Sequence, residues 1–353
     1  MRRWAGIAAV FVALMALIAS VASAATLPEG PRLSFGIWKT GKPMELKLET
    51  AAADGSERTT LVGDGKIWSL PFDGGTWSPD GSSLAFAGAP RGEGDEHGQI
   101  YLVSADGGAP VPVPGTREGT DPVFSPDGHT IAFSRAKLEF NIDFKHPERS
   151  HDYFSTTTWL VDLSSGAVKR LTPWRNGLRV SPTSFSPDAS KLLVDRERGR
   201  GEEVAVFDLA SGRITPFALQ ADEAVYSPDG SRIALISKRD KVTVESADGP
   251  IALGELYVVS ADGSQWHRLT RNRISEEEAP SWDPSGQRLA FAQSTGAGTI
   301  GLGMTNVVVE VNADGSCLTG VVGKPRSEIR SETGLYAPTW RPGPGREAGA
   351  IAC

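Results

Sequence analysis

One short pattern recurs along this chain: an aromatic residue, then Ser-Pro-Asp-Gly or a close variant, then an apolar run. Four copies read WSPDGSSLAFAG from Trp77, FSPDGHTIAFSR from Phe124, FSPDASKLLVDR from Phe185 and YSPDGSRIALIS from Tyr226. A fifth copy, WDPSGQRLAFAQ, begins at Trp282, and a shortened one, TWRPG, surrounds Trp340. Proline followed by aspartate and glycine is typical of a tight turn, and the apolar run after it is typical of a strand. Each copy therefore predicts a β-hairpin.

A second hairpin follows each complete copy, built on turns such as those of IYLVSADGG from Ile100 and LYVVSADGS from Leu256. One unit thus holds four strands, and the aromatic residues that mark the units are 41 to 61 residues apart. Four-stranded units of this length predict the blades of a β-propeller. We call the strands of a unit first to fourth, with the SPDG turn between the first and the second.

The two ends of the chain are predicted to share one blade. Trp340 lies too near the C-terminus to begin a complete unit, whereas RLSFGIW from Arg32, ELKLET from Glu45 and SERTTLV from Ser56 have the pattern of second, third and fourth strands. Pairing these ends closes the ring and removes free sheet edges. The sequence therefore predicts an all-β, six-bladed β-propeller of four-stranded blades, closed by shared N- and C-terminal strands.

The SPDG and ADG elements resemble the repeats of the TolB-type propeller family over about residues 32 to 342. The resemblance implies the six-bladed, WD-repeat-like fold and carries little information on function. We expect no counterpart of the α/β domain that precedes the propeller in full-length TolB. Ala189 stands where the other SPDG turns have glycine, and we expect a left-handed alanine there, at a cost of about 1 kcal/mol.

The N-terminus has the features of a secretory signal peptide: Arg2 and Arg3, an apolar run, and the small residues Ala22, Ser23 and Ala24. We divide the chain into a signal peptide (1–24), a short N-terminal segment (25–31), the propeller (32–342) and a C-terminal tail (343–353). Export with cleavage near Ala24 predicts a periplasmic or extracellular location. The mature part has no apolar stretch long enough to span a bilayer.

The net charge limits the classes of partner, and the two cysteines indicate a disulfide. The formal net charge of −7 disfavours nucleic acid, because phosphate binding depends on lysine and arginine. The two cysteines, Cys317 and Cys353, lie in the exported part, where a disulfide can form and persist. We expect them to be bridged, and we expect the protein to be a monomer.

Acidic residues recur three or four positions before the aromatic markers. They are Asp73, Asp121, Asp222 with Glu223, and Glu278. These positions open the innermost strands, so we expect them to gather around one mouth of the central channel. There they could hold a cation such as Ca²⁺, or a basic peptide of a partner. The alternative is that each acid only hydrogen-bonds its own turn. No other cofactor is expected.

The segment KLEFNIDFKHPERSHDYF, from Lys137 to Phe154, is a second candidate binding region. Its candidate residues are Phe140, Phe144, His146, His151 and Tyr153. Aromatic anchors among charges of both signs suit a protein interface. A metal site at the histidines would need further ligands from His97, His129 or His267, and a solvated loop is the simpler interpretation. The long segments 136–156, 238–253, 294–305 and 323–335 are expected on the same face as the acidic mouth.

Two other stretches are interpreted as loops. GAGTIG, from Gly296 to Gly301, matches a dinucleotide fingerprint but precedes a strand pattern, so no helix N-terminus is available for a phosphate. RERGRGEE, from Arg196, is interpreted as a solvated loop of mixed charge. The sequence has no GxSxG nucleophile motif, and we expect no peptidase domain behind the ring.

These observations favour an exported TolB-like propeller that acts as a protein- or ligand-binding scaffold in the cell envelope or outside the cell, without chemistry of its own. The partner is expected to be a protein or peptide, with carbohydrate as another option. The alternative is a propeller polysaccharide lyase or glycoside hydrolase, whose carboxylates and histidines would meet on one face.

Overall fold

The structure, a computed structural model, describes residues 30–39, 45–63, 67–69, 75–90, 98–141, 151–199, 201–246, 249–271, 275–295, 305–323, 333–343 and 349–353. Within these ranges the secondary structure consists of β-strands that form six antiparallel blades around one axis, as the sequence predicts. No helix of the described part is long and apolar enough to cross a membrane.

The first three blades are numbered from the one that contains the chain ends. Blade 1 contains β27 (Thr333–Trp340), β1 (Arg32–Lys39), β2 (Glu45–Ala52) and β3 (Thr59–Val62). In blade 2 the inner strand has two pieces that both pair with the second strand; its strands are β4 (Ile67–Ser69), β5 (Thr76–Trp77), β6 (Ser83–Pro90), β7 (Gln99–Ser104) and β8 (Val111–Pro112). Blade 3 contains β9 (Gly119–Phe124), β10 (Thr130–Asn141), β11 (His151–Asp162) and β12 (Val168–Arg170).

The other three blades follow in chain order. Blade 4 contains β13 (Leu178–Phe185), β14 (Lys191–Arg198), β15 (Gly201–Asp208) and β16 (Ile214–Leu219). Blade 5 contains β17 (Ala221–Tyr226), β18 (Arg232–Ser237), β21 (Glu255–Ser260) and β22 (His267–Arg268), with an inserted hairpin of β19 (Thr243–Ser246) and β20 (Gly249–Ala252). Blade 6 contains β23 (Ser275–Trp282), β24 (Arg288–Thr295), β25 (Thr305–Asn312) and β26 (Thr319–Gly323).

The ring is closed by β27, which pairs antiparallel with β1 in the register Leu33↔Trp340. The C-terminal strand is therefore the inner strand of a blade whose other strands come from the N-terminus. This confirms the prediction of a blade shared by the two ends. It also leaves no unpaired inner strand in the ring.

Apolar packing between blades forms the core. Each of six clusters of buried side chains joins two neighbouring blades, and together they run around the ring. The middle strands are buried on both sides, which explains their nearly continuous apolar sequences; in β6 the side chains from Leu84 to Phe86 are fully buried. The marker residues lie in these seams, and Trp77, Phe124 and Trp282 are each less than a tenth exposed.

The SPDG turns are stabilised by their own side chains. In the first turn the Ser78 hydroxyl donates to Asp80 Oδ1 at 2.6 Å, and the Ser82 amide donates to the same oxygen at 3.0 Å. Ser78 Oγ in turn accepts the amide of Ser83 at 3.0 Å. The same three bonds recur in the turns that begin at Ser125, Ser186 and Ser227. Serine and aspartate recur because they satisfy the turn backbone locally.

Arginines connect successive blades near these turns. The guanidinium carbons of Arg232, Arg288 and Arg341 lie 4.8, 5.4 and 5.2 Å from the ring centres of Trp282, Trp340 and Trp77, respectively. Each arginine thus covers the aromatic marker of the next blade. Arg341 is buried and donates to the carbonyl of Gly81 at 2.7 Å, so it also ties blade 1 to the first turn of blade 2.

The end of the tail is fixed to blade 6. Cys317 and Cys353 form a disulfide with a Cα–Cα distance of 5.5 Å. Beside it, the Ile351 amide donates to Asn312 Oδ1 at 2.6 Å, and Asn312 Nδ2 donates to the Ile351 carbonyl at 2.8 Å. The tail therefore lies against the turns between the strands of blade 6.

Two segments interpreted as loops are strands in the structure. Residues 136–141 and 151–156 continue β10 and β11 as a paired ribbon, with Leu138 opposite Phe154. RERGRGEE is also extended, since Arg196 of β14 pairs with Glu203 of β15. The loop interpretations were wrong there, because backbone pairing continues past the apolar part of these strands; in blade 4 it includes pairing of Arg196 with Val180 of β13. The GAGTIG segment at 296–301 lies outside the described residues.

Candidate functional site

The antiparallel order of the strands gives the propeller two different faces. The turns between first and second strands and between third and fourth strands lie on one face, which we call the turn face. The inner strands begin on the opposite face, which we call the mouth face, together with the ribbon of β10 and β11 and the hairpin of β19 and β20. Variable connections on a rigid ring are a common location for binding sites.

A β-bulge near the start of the inner strands turns side chains toward the axis. The backbone is left-handed at Asp121 (φ 50°), Glu223 (φ 53°), Ala279 (φ 51°) and Ala337 (φ 44°). In each case the register with the second strand shifts next to that residue. Non-glycine residues rarely adopt this conformation, and such strain concentrates at functional positions. The bulges place two carboxylates, Asp121 and Glu223, at the channel.

The central channel contains a cavity of about 250 Å³ to which all six blades contribute. Its wall includes Thr76 of β5, Val123 of β9, Thr183 of β13, Val225 of β17, Ser281 of β23 and Thr339 of β27. Asp121 and Glu223 are the carboxylates in this wall. The channel is therefore lined mainly by small and neutral side chains, with negative charge on one side only.

A larger cavity of about 370 Å³ opens beside the channel, between blades 4 and 5. We call it the side cavity. It shares Asp121, Pro182, Thr183 and Glu223 with the channel. Its wall contains seven carboxylates, which are Asp121, Asp195, Glu197, Glu202, Glu203, Asp222 and Glu223, and two arginines, Arg179 and Arg196. The negative charge at the mouth face is thus concentrated here.

Hydrogen bonds join the carboxylates of the side cavity to neighbouring blades. The Glu223 amide of blade 5 donates to Asp195 Oδ2 of blade 4 at 2.9 Å. Glu223 Oε2 accepts the Ala279 amide of blade 6 at 2.5 Å. Two of the acids therefore reach across blades, in contrast to the turn aspartates. Asp121 instead accepts its neighbour, the Thr120 hydroxyl, at 3.2 Å.

The bases around the side cavity are each engaged with a glutamate. Arg179 pairs with Glu197, Arg196 pairs with Glu203, and Lys238 Nζ lies 2.9 Å from Glu202 Oε2. Asp121, Asp195, Asp222 and Glu223 have no salt-bridge partner among the residues that the structure describes. These four, which we call the unpaired acids, form no ion pair within the described ranges, although the positive charge of Lys238 acts on Asp222.

Burial raises the pKa of every one of the unpaired acids. For Asp195 and Glu223, burial and then the nearby charge of Asp222 raise the pKa well above its usual range. For Asp222, burial raises the pKa to about 6, although the positive charge of Lys238 opposes the shift. Asp121 is exposed to the channel, but desolvation by the surrounding protein still raises its pKa. The cluster therefore binds protons more readily than isolated carboxylates do.

The structure brings together three of the acids proposed from the sequence. Asp121, Asp222 and Glu223 line the side cavity. Glu278 lies on β23, and its charge contributes to the raised pKa of Glu223. Asp73 lies outside the described residues. Sequence reasoning missed Asp195, which comes from a second strand, and it missed Glu202 and Glu203 because RERGRGEE was taken for a loop.

The candidate residues of the ribbon are only partly described. Phe140 lies on β10, and His151 and Tyr153 lie on β11. Phe144 and His146 lie outside the described residues. Elsewhere on the ribbon Leu138 is 51% exposed and Phe154 is 47% exposed. The Arg179 guanidinium carbon lies 5.5 Å from the centre of the Phe154 ring, so the ribbon reaches the wall of the side cavity.

Of the histidines named as additional metal ligands, the two that the structure describes, His129 and His267, lie in blades 3 and 5. His267 lies next to the Asp314 carbonyl, at 3.0 Å, and His129 belongs to an SPDG turn. His97 lies outside the described residues. Over the ranges given above, no three histidine, cysteine, aspartate or glutamate side chains are placed to hold one metal ion.

Comparison with known proteins finds curated proteins of similar sequence. The chain is 28% identical over 221 residues to the Tol-Pal system protein TolB of Anaeromyxobacter dehalogenans, a match that covers 58% of this chain and 46% of that protein. It is 26% identical over 219 residues to the uncharacterized peptidase YuxL of Bacillus subtilis, which covers 61% of this chain and 28% of that protein. The chain thus spans less than half the length of the curated relatives it matches. No family model matches.

Solved structures agree on the architecture. The crystal structure of TolB from Acinetobacter baumannii superposes with a TM-score of 0.62 and 20% identity, covering 88% of this chain and 67% of that one. A second structure described as TolB, from Agrobacterium tumefaciens, has a TM-score of 0.58 and 19% identity, covering 88% and 98%. The chain is a TolB-like six-bladed β-propeller.

Proposed function

We propose that this protein is an exported binding scaffold, located in the cell envelope or outside the cell, whose mouth face takes a protein or peptide partner. The observation that supports this most directly is the side cavity, where four acids lack a basic partner within the described part of the protein. Uncompensated carboxylates in a partly enclosed site attract positively charged groups. The TolB-like fold, which presents such sites on a rigid ring, is compatible with binding but does not select a ligand.

The ribbon of β10 and β11 supports a partner of protein size. It borders the side cavity and carries the exposed apolar pair Leu138 and Phe154. Apolar anchors beside charged groups are the usual composition of a protein interface. A partner with a basic segment and an apolar contact would match both features. A Ca²⁺ ion at the acidic residues of the mouth face is the other occupant that the sequence pattern allows, and the experiments below include Ca²⁺ for that reason.

The test is capture of partners from an envelope fraction by the parent protein, two mouth-face variants and one control variant. The first variant changes Asp121, Asp222 and Glu278 to the corresponding amides, and the second changes Phe140, Phe144 and Tyr153 to alanine. A matched control removes three acids from the turn face by Asp54→Asn, Asp106→Asn and Asp262→Asn. We expect the first two to lose a partner that the parent and the control retain, in buffer with EDTA and in buffer with Ca²⁺. Retention by both mouth-face variants would contradict the proposal.

An enzyme remains the alternative, because Asp222 and Glu223 are adjacent carboxylates with raised pKa values in one cavity. Such a group could serve as a general acid at neutral pH. The excess of carboxylates disfavours an acidic polysaccharide as the substrate, since like charges repel. Incubation with acidic and neutral oligosaccharides, with EDTA or Mn²⁺, separates the two functions. Turnover that is lost on Asp222→Asn would favour the glycosidase or lyase.

A further inference from the structure

The side cavity contains polar atoms that the protein itself does not satisfy. Asp195 is half-buried in the wall of the cavity; its Oδ2 accepts the Glu223 amide, but its Oδ1 is buried without a hydrogen-bond partner. Thr183 Oγ1, in the same wall, is also buried and unpartnered. A buried carboxylate oxygen without a donor costs free energy. The Asp195 oxygen therefore indicates a ligand that donates a hydrogen bond, and the Thr183 hydroxyl could accept from or donate to the same ligand.

The ligand must also carry positive charge. Arg179, Arg196 and Lys238 are already paired with Glu197, Glu203 and Glu202. The charges that raise the pKa of Asp195 come first from Asp222 and then from Asp121 and Glu202, all of them negative. A cation placed among these acids would relieve both the repulsion and the missing hydrogen bond.

The geometry favours an organic cation over a metal ion. Ca²⁺ requires about six to eight oxygen ligands close together, and in the described ranges no group of three acidic, histidine or cysteine side chains is placed for that. A guanidinium or ammonium group instead offers several donors to separate acceptors. The volume of about 370 Å³ lies within the range of small-ligand pockets, roughly 300–1,000 Å³.

We propose that the side cavity binds an organic cation, a guanidinium or primary ammonium group, through Asp195, Asp222 and Glu223. This deepens the proposed function, on which it rests, by identifying the feature of the partner that enters the mouth face: a lysine or arginine side chain. The same chemistry would accept a free diamine or agmatine. The planar guanidinium has enough donors to contact Asp195 Oδ1 and a second carboxylate together.

Titration calorimetry with small probes tests the proposal on the full mature protein. N-acetyl-arginine amide and N-acetyl-lysine amide represent a polypeptide side chain, agmatine and putrescine represent free cations, and N-acetyl-citrulline amide is the neutral isostere of the first. We expect the cationic probes to bind and the citrulline probe to fail. Asp195→Asn and Asp222→Asn should each weaken binding roughly tenfold or more, the usual size of a charged hydrogen bond. If the amino-acid probes bind more tightly, the cation comes from a polypeptide side chain. If agmatine or putrescine binds more tightly, the ligand is a free amine.

The control variant is Glu118→Gln, which removes one charge from an exposed residue at the start of β9, outside the side cavity. It should leave binding unchanged. Equal weakening by Glu118→Gln and Asp195→Asn, equal binding of the citrulline probe, or no binding of any cation at millimolar concentration would overturn the proposal. The proposal would also be overturned if Ca²⁺ bound to the parent, failed to bind to the Asp195→Asn variant and prevented the organic probes from binding. Melting temperatures of the variants check folding, and partner capture is measured separately, so loss of this pocket is distinguishable from loss of the binding face.

Discussion

Aspartates have opposite roles in two parts of this protein. Asp162, Asp188 and Asp229 lie in exposed turns, where serine hydroxyls and then backbone or further hydroxyl donors lower the pKa to about 2. Asp195 and Asp222 lie among other acids, and burial raises their pKa. The residue type is the same, but the turn aspartates are exposed and accept several hydrogen bonds, whereas Asp195 and Asp222 are desolvated beside other acids. Turn aspartates therefore stabilise the fold as carboxylates, whereas burial disfavours the charged form of the cavity acids.

The first prediction concerns the turn alanine. Ala189 has φ 56°, whereas its counterparts Gly81, Gly128 and Gly230 have φ of 68°, 73° and 72°. An L-residue in this region is strained, so Ala189→Gly should raise the free energy of unfolding by about 1 kcal/mol. Urea denaturation measures the change. Gly128→Ala is the matched control and should lower stability by a similar amount, since its added Cβ would meet only ordinary contacts. A decrease caused by Ala189→Gly would contradict the strain.

The second prediction follows from the raised pKa of Asp222. Its folded-state pKa is about 6 and its ordinary value is 3.8, so the folded state binds the proton more tightly. This contribution to stability is therefore lost as pH rises from about 4 to about 6, and it stays lost above. Asp222→Asn should stabilise the protein at pH 7.5, by on the order of 1–3 kcal/mol, and much less at pH 4.5.

Thermal melting of the parent and the variant at both pH values measures this difference. Asp106→Asn on the turn face is the control. Comparing variant with parent removes the opposite contribution of the turn aspartates, whose stabilisation is lost only as pH falls toward about 2. Destabilisation by Asp222→Asn at pH 7.5 would show that the charge of Asp222 is compensated in the folded protein.

At the scale of elements, blade 6 is fastened by segments that are distant in sequence. Its inner strand β23 is covered by Arg232 of blade 5, which lies over Trp282 and donates to the Gly286 carbonyl at 2.7 Å. The tail contributes further contacts, because Arg288 Nε donates to the Gly349 carbonyl at 2.9 Å. The disulfide then attaches the chain end to the turn after β25. The last blade is thus held by both neighbours and by the tail.

The third prediction concerns the Cys317–Cys353 bridge. The bridge spans a sequence separation of 36 residues, which in the chain-entropy model stabilises by up to about 4 kcal/mol. Replacing both cysteines with serine should therefore lower the melting temperature of the protein. A reducing agent should shift the parent toward the variant and leave the variant unchanged. Intact mass spectrometry under non-reducing conditions that detects two free thiols would contradict the bridge.

For the whole molecule, closure of the ring determines stability. The chain ends meet in blade 1, where Leu33, Phe35 and Trp340 pack in one cluster with residues of blade 6. A propeller without β1 to β3 would expose the edge of β27 and part of two interblade seams. Exposed edges and apolar seams promote aggregation. We therefore expect the ring to unfold as one cooperative unit.

The fourth prediction is that deleting residues 25–62 destabilises the entire propeller. We expect a lower melting temperature and aggregation in size-exclusion chromatography. Deletion of residues 343–353 is the control, because it removes the tail and its disulfide but leaves every described strand in place. It should lower stability less than the N-terminal deletion does. Melting of the N-terminal deletion at the temperature of the parent would show that the terminal strands do not support the ring.

The sequence by itself determined the number and order of the blades. In turns such as Ser78-Pro79-Asp80-Gly81 the polar groups form hydrogen bonds with residues only a few positions away. The local sequence is therefore enough to predict the turn. The shared blade could also be predicted, because counting strands leaves one inner strand at the C-terminus and three partners at the N-terminus. Asp121, Asp222 and Glu223, which line the side cavity, could be named from the sequence because they lie three or four positions before an aromatic marker.

Only the tertiary structure decided which acids form a site. Asp195 meets Glu223 because blades 4 and 5 are adjacent, and neither the left-handed bulge at Glu223 nor the pairing of Arg196 with Glu203 leaves a local signal in sequence. The charged run around Arg196 has the composition of a solvated loop, although backbone pairing extends the strands through it. The cavity acids differ from the turn acids in their burial, in the charge of their neighbours and in their missing hydrogen bonds. All three properties arise between blades, where residues far apart in the chain come together.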